Sequence, residues 1–247
     1  MNKRCLLIME ELSAKETVEV AALAQRLGVS TVTVRKDLDL LEQKGLLRRQ
    51  HGFAVRVSPD DIGYRMTFDY EVKRRIAKRA AAMVGNGETV MIESGSTCAM
   101  LAEELTQARR DVSIVTNSAF IAAHIRNLPG ARVVLLGGAY APDAQVTTGP
   151  LVRLCAQEFF VDKFFIGCDG FDPAQGFSNV DMLRAEAVRA MAERAAKRIV
   201  LTDASKFNKR GVVTLLPTSA VAMVVTDQAP ADCRESLEGQ GVELVLA

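Results

Sequence analysis

Apolar residues in the first part of the chain recur at the three- and four-residue spacing of helices that bury one face. The spacing predicts three helices, whose inward-facing residues are Cys5, Ile8, Met9 and Leu12, then Val20, Leu23, Ala24 and Leu27, then Val34, Leu38 and Leu41. Between the first two helices, the stretch from Ser13 to Glu19 is polar and breaks the pattern. Gly28 follows the second helix, where glycine closes a helix in a left-handed conformation without steric cost. Ser30 suits an N-cap for the third helix, Thr31 to Lys44, which completes the order of a helix-turn-helix.

The outward face of the third helix carries positive charge. At about 100° per residue, Val32 and Lys36 lie nearly opposite the apolar stripe, while Thr33 and Arg35 flank it. An Arg side chain can bridge O6 and N7 of guanine, and a Lys side chain can neutralise a phosphate. These residue types suit the major groove of DNA, although a lone Arg-Lys pair is more often a solvated helix face.

The next segment predicts a β-hairpin wing. Residues 45–57 read as two short strands around a turn near Gly52, with Phe53, Val55 and Val57 facing inward. We expect the cations of the wing to share one surface with those of the third helix. They are Arg48, Arg49, His51 and Arg56.

The segment from Val29 to Glu42, followed by Gly45 to Gly52, resembles the signature of the DeoR family of bacterial regulators. That signature has Ser, then Thr-(Ile/Val)-Arg-(Arg/Lys)-Asp-Leu, then a wing ending in His-Gly-Gly, where this chain has Phe53 at the second glycine. The resemblance implies a double-stranded DNA operator as a partner. The candidate DNA contacts are Ser30, Thr31, Val32, Thr33, Arg35, Lys36, Arg48, Arg49, His51 and Arg56.

Composition and charge agree with a nucleic-acid module at one end. Residues 1–57 contain ten Lys and Arg against seven Asp and Glu, whereas the remainder contains 21 against 23. No apolar run approaches the ~20 residues of a membrane helix, so we expect a cytoplasmic protein with no membrane partner. The five cysteines are dispersed without C-x-x-C spacing, which argues for reduced core residues and against a disulfide framework or a metal site.

Beyond Glu88, short apolar runs alternate with helical patterns. The runs lack hydrophobic alternation, which is typical of strands buried on both faces of a parallel sheet flanked by helices. They are residues 90–92, 112–115, 133–136, 164–166, 199–201 and 221–225. The expected fold class is α/β: a winged helix-turn-helix in residues 1–57, a linker and the start of a connecting helix in 58–75, and a doubly wound, mostly parallel α/β domain in 76–247.

Ligands of such sheets bind beyond the carboxyl ends of the strands. The loop from Ser94 to Thr97 leaves a strand and opens a helix, where hydroxyls, small residues and the helix N-terminus favour a phosphate. An ordinary tight turn would show the same local pattern. The other strand ends are also polar or glycine-rich, and their amide, hydroxyl, carboxylate and ammonium groups suit a phosphorylated polyol.

These strand ends resemble the sensor domain of the same DeoR family, whose fold is similar to that of ribose-5-phosphate isomerase. Glu93 replaces the Asp that commonly precedes the phosphate loop, and Ser96 replaces a common Thr. The resemblance implies a sugar-phosphate effector and no cofactor. The candidate effector contacts are Ser94, Gly95, Ser96, Thr97, Thr116, Asn117, Ser118, Gly137, Gly138, Asp169, Gly170 and Lys206.

Three functions remain open at this point. The leading one is a DNA-binding regulator, a repressor in the first instance, that acts as a dimer or tetramer and changes its operator affinity when a sugar phosphate binds. The alternative is a sugar-phosphate isomerase with an accessory DNA-binding head, whose base would be Asp169, Glu186 or Asp203. Those isomerases have a glycine-rich segment with the catalytic Glu where this chain has residues 176–181, so we expect no catalytic residues. The third is an α/β domain that only oligomerises and binds no ligand.

Overall fold

A computed structural model describes residues 3–43 and 46–247 of the chain, which form two compact units divided between Tyr70 and Glu71. Lys44, the predicted end of the third helix, and Gly45, the predicted start of the wing, lie outside the described residues. The predicted domain limits at residues 57 and 75 stay a prediction. The first unit contains the three helices and the wing, and the second contains a seven-stranded sheet.

The three predicted helices are present as α1 (Lys3–Ala14), α2 (Val20–Leu27) and α3 (Thr31–Gln43). Every residue predicted to face inward is buried, apart from the half-buried Leu27. Gly28 ends α2 with a φ of 65°, and its N–H bonds back to the last turn of that helix. The left-handed glycine therefore turns the chain into α3 as predicted.

The wing is a three-stranded antiparallel sheet. Its strands β1 (Thr17–Glu19), β2 (Leu47–Gln50) and β3 (Phe53–Arg56) lie in the order β1-β3-β2. The sequence pattern missed β1, because a three-residue strand with one buried side chain, Val18, has no detectable alternation.

The prediction that Phe53, Val55 and Val57 face inward is wrong for Phe53, whereas the half-buried Val57 packs against the core of this unit. Ala54 is fully buried, Phe53 is 43% exposed, and Val55 and Val57 are half-buried. Successive strand residues point to opposite faces, so a one-residue error in register exchanges the two faces completely. The small Ala54, rather than the larger side chains beside it, packs against the core of this unit.

Two helices follow the wing: α4 (Ile62–Met66) and α5 (Tyr70–Ala81). The sequence predicted a linker and the start of one connecting helix in residues 58–75, but two helices form there, separated near Asp69, which has a φ of 49°. Tyr64 is buried in the core of the first unit, with its ring edge-on to Phe68 at 4.9 Å between centroids. Residues 58–70 thus form a turn and a short helix.

The second unit contains a parallel sheet with the order β15-β14-β12-β9-β4-β5-β6. Its strands are β4 (Thr89–Ile92), β5 (Val112–Thr116), β6 (Ala131–Leu135), β9 (Val161–Gly167), β12 (Ala195–Leu201), β14 (Met223–Thr226) and β15 (Glu243–Leu246). The six apolar runs all became strands of this sheet, and the predicted α/β fold class is confirmed. Among the seven strands of this sheet, β15 is the one that the sequence did not predict.

Helices and short hairpins complete the second unit. The helices are α6 (Ser96–Ala108), α7 (Ala119–Ile125), α8 (Pro150–Gln157), α9 (Met182–Ala192) and α10 (Ala231–Gly239). The short strands are β7 (Ala139–Ala141) with β8 (Val146–Thr148), and β10 (Gly170–Asp172) with β11 (Gly176–Asn179) and β13 (Val213–Leu216). Phe164, Phe171 and Phe177 are fully buried in one core cluster, which therefore includes residues from both the large sheet and the smaller one.

The edge strand β6 differs from the expectation that every run is buried on both faces. Val134 is 38% exposed and Leu135 is 45% exposed. β6 has a strand neighbour on one side only. Across the described ranges, no helix combines the length and the apolar character needed to cross a membrane.

Candidate functional site

The outward face of α3 is an exposed cationic surface. Arg35 and Lys36 are exposed, and neither has an ion-pair partner among the described residues. Val32, one helical turn before Lys36, is 58% exposed, and Thr31 is also exposed. These four residues are available to an external partner.

Ser30 and Thr33 hold the start of this helix. The Thr33 amide donates to Ser30 Oγ at 3.2 Å, and the two hydroxyl oxygens lie 2.9 Å apart. Ser30 is therefore the N-cap that the sequence predicted. Because each hydroxyl already has a partner, both residues have a structural role beside any contact with DNA.

The wing cations are divided between the two faces of the wing sheet. Arg49 and Arg56 lie on the face of the buried Ala54, since Arg49 pairs with Ala54 and Arg56 lies two residues further along β3. Arg49 forms an ion pair with Asp39 of α3, and Arg56 Nη2 donates to Glu16 at 2.9 Å. Arg48 lies on the opposite face and is exposed. The expected single cationic surface is not what the structure shows.

The tip of the wing is a two-residue turn at His51 and Gly52. Gln50 pairs directly with Phe53 across this turn, and both turn residues have positive φ, 46° and 88°. Positive φ at both positions matches the right-handed twist of a hairpin, and glycine at the second position accommodates it. His51 is exposed at the tip beside the exposed Phe53.

Asp37 was not singled out from the sequence. It is only 5% exposed, and it accepts hydrogen bonds from Arg4 of α1, one of them from Nη2 at 3.0 Å. This contact raises the pKa of Arg4 and ties α1 to α3. The charge of Asp37 therefore supports the helix packing and does not face an external ligand.

In the second unit, the winding direction of the sheet changes between β4 and β9. From β4 the chain adds β5 and β6 on one side, and then returns to place β9, β12, β14 and β15 on the other. In open α/β sheets, ligands bind beyond the carboxyl ends of the strands at such a switch point. The loops that follow β4 and β9 are therefore the centre of the candidate effector site.

Glu93, which the sequence noted only as a departure from Asp, joins these two loops. Its buried carboxylate accepts hydrogen bonds from the Ser94 hydroxyl at 2.8 Å, the Gly95 amide at 2.7 Å and the Gly167 amide at 3.1 Å. Two of the predicted effector donors are thus already bound to Glu93. A longer side chain than Asp reaches the neighbouring strand, which a sequence pattern cannot reveal.

Gly95 and Gly167 face each other where β4 and β9 meet, and we call this pair the glycine seam. A Cβ atom on Gly95 would lie 3.3 Å from the Gly167 Cα and 3.1 Å from Glu93 Oε2. A Cβ on Gly167 would meet Gly95 Cα at the same 3.3 Å. The close approach of two backbones explains why both positions carry glycine.

The N-terminus of α6 opens at the seam. Gly95 is its N-cap residue and provides no side-chain cap. The amides of the first helical turn, together with the partial positive charge of the helix end, favour an anion. Ser94, Ser96 and Thr97 are 3–6% exposed, so their hydroxyls lie in a largely enclosed setting.

The loop after β5 contains a buried amide with one unsatisfied atom. Asn117 is 1% exposed, its Nδ2 donates to the Thr147 carbonyl at 3.1 Å, and its Oδ1 has no hydrogen-bond partner. Its neighbours have local roles, since Thr116 Oγ1 accepts from the Ser118 amide and Ser118 Oγ caps α7. Of the three residues predicted in this loop, Asn117 is the one with free bonding capacity.

Polar groups on the other side of the seam follow β9 and β12. Asp169 Oδ2 accepts from the Val180 amide at 3.1 Å, and Lys206 is half-buried in the turn after β12. Burial raises the pKa of Cys168 to about 12, the nearby Asp169 also raises it, and the nearby Lys206 lowers it. Cys168 Sγ donates to Thr202 Oγ1 at 3.6 Å, so the loop that holds Asp169 and the loop that leads to Lys206 follow neighbouring strands that are in contact.

The structure does not bring every predicted effector residue together. Lys206 follows β12 and Gly137 follows β6, and these strands are four neighbour spacings apart, roughly 19 Å. Gly138 packs against the β7–β8 hairpin, where a Cβ atom would lie 2.6 Å from the Thr148 carbonyl oxygen. A close backbone contact explains Gly138. Gly170 is similar, since its Cβ would lie 2.4 Å from the Lys209 carbonyl oxygen.

No group of three or more His, Cys, Asp or Glu residues within residues 3–43 and 46–247 could hold a metal ion. None of the five cysteines, all of which lie in the described ranges, forms a disulfide; four of them are buried and Cys155 is half-buried.

Comparisons with known proteins match both units of the chain. A model of the DeoR-like helix-turn-helix domain matches residues 4–60, and a model of the DeoR C terminal sensor domain matches residues 69–228. The transcriptional regulator GlpR of Haloferax volcanii is 31% identical, with 96% of this chain and 94% of that protein covered. The L-fucose operon activator of Haemophilus influenzae is 28% identical over the full length of both chains.

The chain is also similar to two further known proteins. The transcriptional repressor AccR of Agrobacterium fabrum is 29% identical, with 89% of this chain and 87% of that protein covered. Among solved structures, ribose 5-phosphate isomerase A of Neisseria gonorrhoeae matches 57% of this chain and 54% of its own, with 21% identity and a TM-score of 0.41. The two domain models cover nearly the whole sequence in the order observed, and this chain belongs to the DeoR family of transcriptional regulators.

Proposed function

We propose that the chain is a transcriptional regulator whose first unit binds an operator duplex and whose second unit binds a phosphorylated sugar. Binding of the sugar phosphate favours an arrangement with lower operator affinity, and the two binding events are linked thermodynamically. A coupling of roughly 1–3 kcal/mol gives a switch of about 5- to 150-fold.

The DNA-binding half rests on α3. Arg35 and Lys36 are exposed without acidic partners among the described residues, and a capped helix start places them one turn inside the helix. Their charges suit the phosphates and base edges of a duplex. Arg48 and His51 of the wing add two further exposed polar groups.

The effector-binding half rests on the seam between β4 and β9. The observations that carry it are the N-terminus of α6, which has no side-chain cap, and the unsatisfied, buried Oδ1 of Asn117, which follows the neighbouring strand β5. The first suits a phosphate, and the second suits a hydroxyl of the sugar. The turn with Lys206 lies two strands from β4, roughly 10 Å, so its ammonium group can complete the phosphate site. Among the relatives, the L-fucose operon activator is named for a sugar operon.

The test has two steps on the full-length protein. Duplexes are first selected from a random-sequence library by repeated binding, and the affinity of the enriched duplex is then measured with and without each of a panel of pentose and hexose phosphates. We expect one sugar phosphate to change operator affinity by at least about fivefold, the lower end of ordinary allosteric coupling. No enriched sequence would refute DNA recognition, and enrichment without any effector response would refute the sensor.

We propose further that the second unit is a sensor without isomerase turnover. Of the three candidate bases, Asp169 and Asp203 accept hydrogen bonds from backbone amides, and Glu186 is exposed on α9. Each therefore has a structural or solvent-exposed setting. Sustained conversion of a pentose or hexose phosphate that disappears in Asp169→Asn would contradict this proposal.

A further inference from the structure

Val32 is an exposed apolar residue in the first turn of α3. It is 58% exposed, whereas Val34, Leu38 and Leu41 of the same helix are fully buried. A β-branched side chain loses rotamer freedom in a helix, so an exposed valine does not stabilise α3 through its own propensity. Core packing does not explain this side chain.

The surroundings of Val32 are cationic. Arg35 and Lys36 lie three and four residues further along, which places all three side chains on one side of the helix. The nearest acidic residue along that side is Asp39, and its charge is balanced by Arg49. An apolar protein surface would not match two exposed cations, whereas a polyanion with an apolar group between its charges would.

The major groove of DNA offers that combination. Its phosphates flank the base edges, and the apolar group among those edges is the C5-methyl of thymine. Residues near the start of a recognition helix contact base edges. We propose that Val32 is a specificity-determining residue of α3 and reads the C5-methyl group of a thymine, an inference that rests on the proposed DNA binding.

The experiment uses the duplex enriched from a random library by the full-length protein. Each thymine in the enriched sequence is replaced in turn by deoxyuridine, which removes only the C5-methyl group and keeps the base-pairing edge. For wild-type protein we expect one position per half-site at which affinity falls about fourfold, the effect of burying one methyl group. Val32→Ala should bind the thymine and deoxyuridine duplexes equally at that position.

The controls separate this inference from the function on which it rests. Leu40→Ala removes another exposed aliphatic side chain, 40% exposed, two turns further along α3, and should keep the thymine preference. Failure to enrich any sequence refutes the proposed DNA recognition itself. Enrichment without a deoxyuridine effect at any position overturns the role of Val32 alone. A deoxyuridine effect that survives in Val32→Ala but disappears in Thr31→Ser assigns the contact to the Thr31 methyl group and also overturns the inference.

Discussion

Arg49 on β2 forms an ion pair with Asp39 on α3, and Asp39 lies one helical turn after Arg35. Residues four apart on a helix are neighbours, so Asp39 could otherwise pair with Arg35. The wing therefore engages Asp39, the acidic neighbour of Arg35 along α3 that would compete with DNA for its guanidinium group. A second contact, from the Arg49 amide to Glu42 Oε1 at 2.7 Å, holds β2 along the same helix.

Removing Arg49 should weaken operator binding, because Asp39 then becomes free to pair with Arg35. In Arg49→Ala we expect an affinity loss of about twofold, the size of an exposed pair at this spacing, and Asp39→Asn in the same protein should restore it. Fluorescence anisotropy on the enriched duplex measures both. If Asp39→Asn fails to restore affinity, and strengthens binding in the wild-type background instead, then Arg49 itself contacts the phosphates.

The exposed cations of α3 should separate into base reading and charge neutralisation. Arg35→Ala is expected to lose about 5- to 150-fold in affinity with relaxed preference at one base pair, as for a guanine contact. Lys36→Ala should weaken all sequences alike and lower the slope of affinity against salt concentration by about one. Titrations at several salt concentrations distinguish the two. Wild-type affinity in both variants would place the interface on another element.

Lys206 should be needed for the effector response and not for DNA binding. A charge-assisted hydrogen bond to phosphate corresponds to about 10- to 100-fold in ligand affinity, so Lys206→Ala should require that much more sugar phosphate for the same response. Lys209→Ala, which removes an exposed ammonium group three residues later, is the matched control. The measurement is operator affinity across an effector titration. Equal effector sensitivity of Lys206→Ala and wild type would show that the phosphate does not bind near the end of β12.

The three N-terminal helices and six strands of the large sheet followed from local patterns, because the helices showed their three- and four-residue spacing and the strands were continuous apolar runs. All six apolar runs became parallel strands, and Gly28 and Ser30 ended and began their helices as predicted. The face of β3 that is exposed was not predicted correctly. The small Ala54 does not mark a buried position in the sequence, and the apolar Phe53 beside it wrongly suggested one.

The site residues were harder to predict than the fold. The sequence placed Ser94 and Asn117 at strand ends, but it could not show that a Glu93 oxygen already accepts the Ser94 hydroxyl, or that Asn117 retains an unsatisfied Oδ1. Such differences depend on contacts across neighbouring strands, which no local spacing encodes. Asp37 shows the same limit, since its partner Arg4 lies 33 residues away.

Glu93 should contribute to stability through its three hydrogen bonds. Glu93→Gln replaces one acceptor oxygen by a donor, which leaves at least one donor of the loop unmatched and costs about 1–3 kcal/mol. For a domain of this size we expect a fall of about 2–4 °C in Tm for each kcal/mol. The Tm of Ser94→Ala, which removes only one hydrogen bond, should fall less. An unchanged Tm in Glu93→Gln, measured by calorimetry, would show that the loop does not depend on this carboxylate.

Self-association should involve α8. Leu151 and Leu154 lie one turn apart on this helix and are 55% and 56% exposed. Two adjacent exposed leucines form an apolar patch, which is a feature of association surfaces. We expect a dimer or tetramer at micromolar concentration by light scattering, as regulators that read repeated half-sites are symmetric. Replacing both leucines by Glu should lower the mass. A monomeric wild type would contradict the expectation, and an unchanged mass in the variant would exclude α8 from the interface.

The glycine seam has a consequence for altering what the protein responds to. A Cβ atom at Gly95 or Gly167 would lie 3.1 Å from Glu93 Oε2 and 3.3 Å from the facing Cα, so any larger residue at either position must shift Glu93 or the facing backbone by a few tenths of an ångström. New chemical selectivity must come from the side chains around the seam, such as Asn117, Asp169 and Lys206. A mutant library that randomises those three codons and keeps both glycines should yield more folded regulators with changed inducer preferences than a library that randomises the two glycines.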